Sequence, residues 1–66
     1  MTILEQLKFY LSSDRRSVML DEVREIWVKR LYTEHGTVYE CNNLNTFIVC
    51  DSPEEVIAWC QEIEFG

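Results

Sequence analysis

The chain has 66 residues, 47% of them hydrophobic, and a formal net charge of −6. This length accommodates one domain, residues 1–66, whose folding buries only about 60% of the surface of the unfolded chain. The apolar content is too high for intrinsic disorder, and the start of the chain lacks the basic and apolar regions of a signal peptide. Because no apolar run is long enough to span a membrane, we expect a soluble, cytoplasmic protein.

The charges are distributed unevenly along the chain. All six lysines and arginines lie within the first 30 residues, together with five acids. The remainder, from Glu34 onward, carries seven acids and no lysine or arginine. This part of the chain is therefore expected to project a negative electrostatic field. Such a field attracts basic surfaces and repels nucleic-acid phosphates and anionic membranes. We therefore expect a basic protein partner, and we expect neither direct nucleic-acid binding nor membrane binding.

The N-terminal segment is predicted to form a helix over about residues 3–12. Thr2 and Glu5 have the spacing of a capping box, in which each side chain bonds to the backbone of the other residue. Apolar residues recur at helical spacing after them. The polar residues 12–16 are predicted to form the loop that ends this helix.

A second helix is predicted over about residues 53–64. Ser52 suits the capping position, and Pro53 suits the first helical position because it has no N–H to satisfy. The predicted helix has one apolar face, formed by Val56, Trp59, Cys60 and Ile63, with Ile57 on its border. Its opposite face is an acidic stripe that comprises Glu54, Glu55, Ala58, Gln61 and Glu62.

The middle of the chain is predicted to form a sheet. Residues 37–41 and 46–50 favour β-structure and are expected to pair as a hairpin around the turn 42–45. Residues 26–33 are also rich in strand-forming residues and lead into a predicted tight turn at His35-Gly36. These strands predict a two-layer α+β domain with a three-stranded antiparallel meander and two helices. The alternative is a helix over residues 21–33, which would leave a two-stranded hairpin.

Strand geometry at residues 26–33 predicts an exposed apolar surface. Successive side chains alternate between the two faces, so Ile26, Val28 and Tyr32 lie on one face. Trp27 and Leu31 lie on the other. Because two helices can cover only one face, Trp27 is expected near the centre of an open contact surface. In the helical alternative, Trp27 would belong to the core.

The three cysteines, Cys41, Cys50 and Cys60, are expected to be buried and reduced. Their spacing lacks the close pair of ligands that is typical of zinc motifs, so neither a metal nor a cofactor is expected. With residues 42–45 as the turn, Cys41 and Cys50 would lie at opposite ends of the hairpin, too far apart for a disulfide. A thiol- or zinc-dependent activity is the least favoured alternative.

No combination of residues predicts catalysis. His35 is the only histidine and lies in a predicted turn, and the chain has no glycine-rich phosphate loop. The acids of the second helix are expected on an exposed face, where a carboxylate is not poised for acid–base work. A phosphate-binding patch would have to use Arg15, Arg16, Arg24, Lys29 and Arg30, which match no nucleic-acid motif. We expect no enzyme and no catalytic residue.

These observations favour a small acidic regulatory or inhibitory protein, of the kind that compact phage or bacterial genomes encode. It is expected to dock on a basic partner, such as a protein that binds nucleic acid. The residues expected to contact the partner are Asp51, Glu54, Glu55, Glu62, Glu64 and Trp27. One alternative is a homo-oligomeric structural module, such as a homodimer closed by the open sheet face. A second is an acidic stripe that only keeps the protein soluble.

Overall fold

The computed structural model describes residues 2–65, which form a four-stranded antiparallel sheet with two helices packed on one of its faces. The elements in chain order are α1 (Ile3–Leu11), β1 (Ser17–Asp21), β2 (Ile26–Thr33), β3 (Gly36–Asn43), β4 (Thr46–Cys50) and α2 (Pro53–Phe65). Each strand pairs with the next in the chain, so the sheet order is β1-β2-β3-β4. The predicted two-layer α+β fold is confirmed, but the sheet has four strands, and the prediction of three was wrong.

The strand absent from the sequence prediction is β1. Its side chains alternate as a strand requires, because Leu20 is buried, Val18 is half-buried and the intervening Met19 is exposed. It pairs antiparallel with β2, and the register shifts between Met19 and Asp21, which marks a bulge. β1 pairs with the edge of β2 that would have been unpaired in the predicted three-stranded meander.

The helical alternative for residues 21–33 is wrong. The Asp21 Oδ1 atom accepts hydrogen bonds from the backbone amides of Val23, at 3.0 Å, and Arg24, at 3.1 Å. A side chain that binds amides two and three residues ahead favours a turn over a continuous helix. The chain therefore reverses between β1 and β2, and residues 26–33 become a central strand.

Both predicted helices are confirmed, with ends within one residue of the prediction. At the start of α1, Thr2 Oγ1 accepts the amide of Glu5 at 3.2 Å, and Glu5 Oε1 accepts the amide of Thr2 at 3.2 Å. This is the predicted capping box. At the start of α2, Ser52 Oγ accepts the amide of Glu55 at 3.3 Å, as its predicted capping position implies.

The hairpin between β3 and β4 has a shorter turn than predicted. Asn43 pairs with Thr46, so only Leu44 and Asn45 form the turn. The Asn43 Oδ1 atom accepts the amides of Asn45, at 2.9 Å, and Thr46, at 3.0 Å, which stabilises this tight reversal. The resulting register moves every β4 residue by two positions relative to the predicted turn.

The core lies between the helices and the inner face of the sheet. Leu7 and Tyr10 from α1 and Val56 and Cys60 from α2 are almost fully buried. The sheet contributes Leu20, Ile26, Val28, Tyr39, Cys41 and Cys50. The predicted apolar face of α2 is confirmed. This helix packs against β3 and β4, whereas α1 packs against β1.

One charged side chain among the described residues lies in this core. Arg30 is 8% exposed, and its Nη1 atom donates to the backbone carbonyls of Ser13, at 3.1 Å, and Arg15, at 2.8 Å. Its guanidinium carbon lies 5.0 Å from the ring centre of Tyr10 and 5.7 Å from that of Tyr39. Arg30 therefore joins the loop after α1 to the sheet by hydrogen bonds and cation–π contacts.

Candidate protein-binding surfaces

The first candidate surface is the outward side of α2, which we call the acidic helix face. It consists of Glu54, Glu55, Ala58, Gln61 and Glu62, all of which are exposed. The helical repeat of 3.6 residues turns these positions away from the core because Val56, Trp59 and Cys60 are buried beneath them. The predicted acidic stripe is thus present on the folded protein.

No acid of this face pairs with a base. Among residues 2–65, the single ion pair within 4.0 Å joins Arg24 Nε to Asp21 Oδ2, at 2.8 Å. The hydrogen bonds from the side chain and the backbone amide of Arg24 lower the pKa of the Asp21 carboxyl. This pair involves the β1–β2 turn, so the charges of the acidic helix face are left uncompensated by contact.

The basic side chains lie elsewhere or have other partners. Arg30 is in the core, and Lys29 is directly opposite Glu40 in the β2–β3 ladder. Arg24 lines a shallow cleft of about 370 Å³ together with Glu62 of the acidic helix face. The remaining described bases, Lys8, Arg15 and Arg16, are exposed on α1 and on the loop that follows it.

Three of the predicted partner-binding acids differ from the others in their surroundings. Glu55 Oε2 accepts the backbone amide of Asp51 at 3.0 Å, so Glu55 helps to fix the start of α2. Asp51 is exposed and immediately follows β4. Glu64 is half-buried beside Cys60, and its charge adds to burial in raising the pKa of that thiol. Glu54 and Glu62 are therefore the acids of α2 that are free of such roles.

The second candidate surface is the sheet face that the helices leave uncovered, which we call the open sheet face. Met19, Phe47 and Val49 are 51%, 53% and 54% exposed on it. Trp27 lies beside them and is half-buried. Further members of the face are Ser17, Lys29, Leu31, Thr33, Val38, Glu40 and Asn42. The face is mainly apolar, and its two opposite charges are neighbours.

The structure does not bring Trp27 together with the predicted acids. Trp27 lies on the open sheet face, whereas Glu54 and Glu62 lie on the outer side of a helix packed against the opposite face. A partner that covers the acidic helix face therefore cannot use Trp27 as its anchor. The six predicted residues belong to separate surfaces.

The sequence prediction missed the edge formed by β4. The sheet order places β4 at one end of the sheet, and its first four residues are all exposed. Ile48 is on the helix side and is 39% exposed, while its neighbours Phe47 and Val49 are on the open sheet face. The run of three apolar residues, Phe47, Ile48 and Val49, was visible in the sequence and could have indicated an apolar sheet edge.

The register fixes which backbone groups of β4 remain unpaired within the sheet. An antiparallel ladder alternates hydrogen-bonded and non-hydrogen-bonded pairs, and the tight turn makes Asn43 and Thr46 a hydrogen-bonded pair. Ile48 therefore exchanges its bonds with Cys41. Phe47 and Val49 direct their amide and carbonyl groups away from β3, towards the free edge.

The prediction that Cys41 and Cys50 are far apart was wrong. The two-residue turn places Cys41 opposite Ile48 and Cys50 opposite Tyr39, and the two Sγ atoms are 3.7 Å apart. All three cysteines are free and buried, as predicted. Burial raises the pKa of the Cys41 thiol, and the adjacent Cys50 raises it further. Within residues 2–65, no three potential ligands are arranged to hold a metal ion.

Comparison of the chain with protein-family models, with curated proteins and with solved structures gave no match. Among the described residues, no helix has the length and apolar character needed to cross a membrane.

Proposed function

We propose that this protein is a small acidic regulator or inhibitor that binds another protein. The acidic helix face docks on a basic surface of the partner, such as a surface that binds nucleic acid. The observation that carries this proposal is the absence of any ion pair to the acids of α2 within the described chain. A basic partner supplies the positive charges that these acids lack.

The charge pattern sets how such a complex forms. Complementary charges steer the encounter and raise association rates from about 10⁵–10⁶ to as much as about 10⁸–10⁹ M⁻¹s⁻¹ at low salt. Salt screens exposed charges, with a Debye length of about 8 Å at physiological ionic strength. The rate of association is therefore expected to fall as salt is added.

The protein would inhibit its partner simply by occupying the basic surface of that partner. The carboxylates of Glu54 and Glu62 are exposed side chains on the outside of a helix, and they need no reacting group beside them. When they cover basic side chains of a partner, those side chains are no longer available to phosphates. In this proposal the protein competes with phosphates for the basic side chains of its partner and catalyses no reaction.

The test uses a variant that removes three charges near α2. We call D51N/E54Q/E62Q the acidic-face variant; it leaves Glu55 intact because this residue fixes the start of the helix. Immobilised wild-type protein is expected to capture a basic protein from its native host at low salt and to release it at high salt. The acidic-face variant is expected to lose this capture.

A matched control separates the position of the charges from their number. E22Q/E25Q/E34Q, the turn variant, also removes three exposed acids, all from the β1–β2 and β2–β3 turns. It is expected to capture the same protein as the wild type. Equal loss by both variants, or capture that high salt does not disturb, would refute docking through the acidic helix face.

The open sheet face favours a second candidate function, a homodimeric structural module. Met19, Phe47 and Val49 expose apolar surface there, and the charges of Lys29 and Glu40 offset each other locally. Two copies could therefore meet face to face without local charge repulsion. Sedimentation at rising concentration tests this candidate: a wild-type dimer that Val49→Lys dissociates supports it, and a monomer at all concentrations rules it out.

A further inference from the structure

The free edge of β4 lacks the features that usually prevent strand pairing. Exposed edges are commonly protected by proline, by charged side chains or by bulges. The residues of β4 include neither proline nor a charged residue, and its register with β3 is regular. The opposite edge strand, β1, contains a bulge between Met19 and Asp21. The β4 edge is therefore the better template for another strand.

Both sides of this edge can accept a neighbouring strand. Ile48 is exposed on the helix side, and Phe47 and Val49 are exposed on the open sheet face. The backbone groups of Phe47 and Val49 point to the free edge, as the register requires. An added strand would thus gain hydrogen bonds from the backbone, apolar contacts with Phe47 and Val49 on the open sheet face, and contact of its side-chain stems with Ile48 on the helix side.

Acids flank β4 at both of its ends. Glu62 lines a cleft with Leu44 and Asn45, at the turn where β4 begins. At the other end, Glu55 is hydrogen bonded to the amide of Asp51, immediately after β4 ends. The edge therefore has an apolar centre and a carboxylate near each end, and Arg24, which lines the same cleft as Glu62, is already paired with Asp21.

The spacing of these acids is comparable to that of alternate side chains on an extended chain. Glu55 and Glu62 are seven residues apart in α2, which corresponds to about 10 Å along the helix axis. Side chains on one face of a strand recur about every 7 Å. Basic residues two or four positions apart on an added strand are separated by about 7 or about 14 Å, which brackets the spacing of the acids, and long flexible side chains can make up the difference.

We propose that the β4 edge binds an extended segment of the basic partner by strand addition. The segment alternates basic and apolar residues: the basic residues lie on the helix side near Glu55 and Glu62, and the apolar residues extend the open sheet face beside Phe47 and Val49. This inference rests on the proposed function and specifies the chemistry of the partner.

A second copy of the chain fits this edge less well. Pairing of β4 with itself would bring Asp51, Glu55 and Glu62 of one copy towards the same acids of the other. Each copy also carries a formal net charge of −6. Like charges at this distance oppose association, whereas a basic segment converts the same charges into attraction.

The test measures binding of a short synthetic peptide that alternates arginine and valine. Val49→Pro removes the one backbone donor that residue 49 directs to the free edge and leaves the hydrogen bonds to β3 intact. Val49→Thr, the matched control, keeps that donor. We expect Val49→Pro to weaken peptide binding by at least about tenfold and Val49→Thr by less than about threefold.

A second arm changes only the peptide, so it does not depend on how the protein variants fold. The valines are replaced by N-methylvaline, which removes the amide donors of the peptide but retains its charges. A block peptide of the same composition, with all arginines together, controls for net charge. Strand addition predicts that wild-type protein binds the alternating peptide more tightly than either of the others.

A third arm tests the acids. Glu62→Gln is expected to weaken binding of the alternating peptide and to reduce its dependence on salt. Glu22→Gln removes an equivalent exposed charge from the β1–β2 turn and is expected to change neither. Equal effects of the two substitutions would contradict the placement of basic residues beside α2.

The outcomes separate this inference from the proposed function. If all peptides bind equally and Val49→Pro has no effect, strand addition is refuted, while docking through the acidic helix face is still judged by capture from the host. If the protein instead forms a dimer that Val49→Pro dissociates and binds no peptide, the occupant is a second copy and this inference is wrong.

Discussion

Arg30 shows how a single residue can depart from an expectation based on composition. As a basic residue it was counted with the side chains available for a phosphate patch, but it is buried and hydrogen bonded to the carbonyls of Ser13 and Arg15. The alternation of β2 places Arg30 on the same face as Ile26 and Val28, so its direction was predictable. Its partners were not, because they come from a loop whose position depends on how α1 packs.

We predict that Arg30→Lys destabilises the protein by about 2 kcal/mol. Lysine retains the charge but lacks the planar fork that reaches two carbonyls and lies over two rings, and a hydrogen bond to a charged group contributes about 1.5–3 kcal/mol. Urea denaturation measures the change. Arg16→Lys, at an exposed position in the same loop, is the control and is expected to change stability by less than about 0.5 kcal/mol. Equal stabilities of the two variants would contradict the role of Arg30.

The buried thiols predict a dependence of stability on pH. Burial raises the pKa of Cys41, Cys50 and Cys60 above the ordinary thiol value, so the folded protein retains protons that the unfolded chain releases. The stabilising contribution is present below the unfolded pKa of about 8.5 and is lost as the pH rises towards the folded values. The free energy of unfolding is therefore expected to fall above about pH 8.5.

Urea denaturation at a series of pH values measures this fall, and Cys41→Ala is the control. Because Cys41 is fully buried and next to Cys50, its removal is expected to reduce the slope of stability against pH. We also expect the buried thiols to be alkylated slowly in the native protein and rapidly in urea, because unfolding exposes them and restores their ordinary pKa. A wild-type slope that Cys41→Ala leaves unchanged would show that other groups cause the fall.

At the scale of elements, local chemistry predicted most of the fold. Capping residues gave the start of both helices, and strand-forming residues gave β2 and β4 with their observed bounds. β1 was missed because Val18 is its one residue with a strong preference for strands and its ends are polar, so it depends on pairing with β2, which is a tertiary interaction. The register of β3 and β4 was missed because the side chain of Asn43 binds the turn amides and so shortens the loop.

The register makes a prediction for two neighbouring positions of β4. Proline at Ile48 removes an amide that bonds to β3, whereas proline at Val49 removes one that points to the free edge. We expect Ile48→Pro to destabilise the protein by about 3 kcal/mol or more and Val49→Pro to destabilise it clearly less. Thermal unfolding measures both changes. If Val49→Pro destabilised the protein as much as Ile48→Pro, the amide of Val49 would have to bond to β3, and the assigned hydrogen-bonding pattern would be contradicted.

At the scale of the whole molecule, the sequence predicted two surfaces but not their relation. The acidic stripe followed from helical spacing, and the open apolar face followed from the alternation around Trp27. Their positions on opposite sides of the molecule depend on which face of the sheet both helices cover. That choice arises from packing between distant elements, so the predicted single site became an acidic helix face, a separate open sheet face and the β4 edge.

The acidic helix face makes the central prediction for the whole molecule, and the salt dependence of binding to short poly-L-lysine tests it most directly. The acidic-face variant and the turn variant have the same net charge, so a difference between them reports only where the charges lie. We predict that the acidic-face variant binds at least about tenfold more weakly than the turn variant at low salt and shows a shallower decline with salt. Identical affinities and identical salt slopes for the two variants would contradict the account.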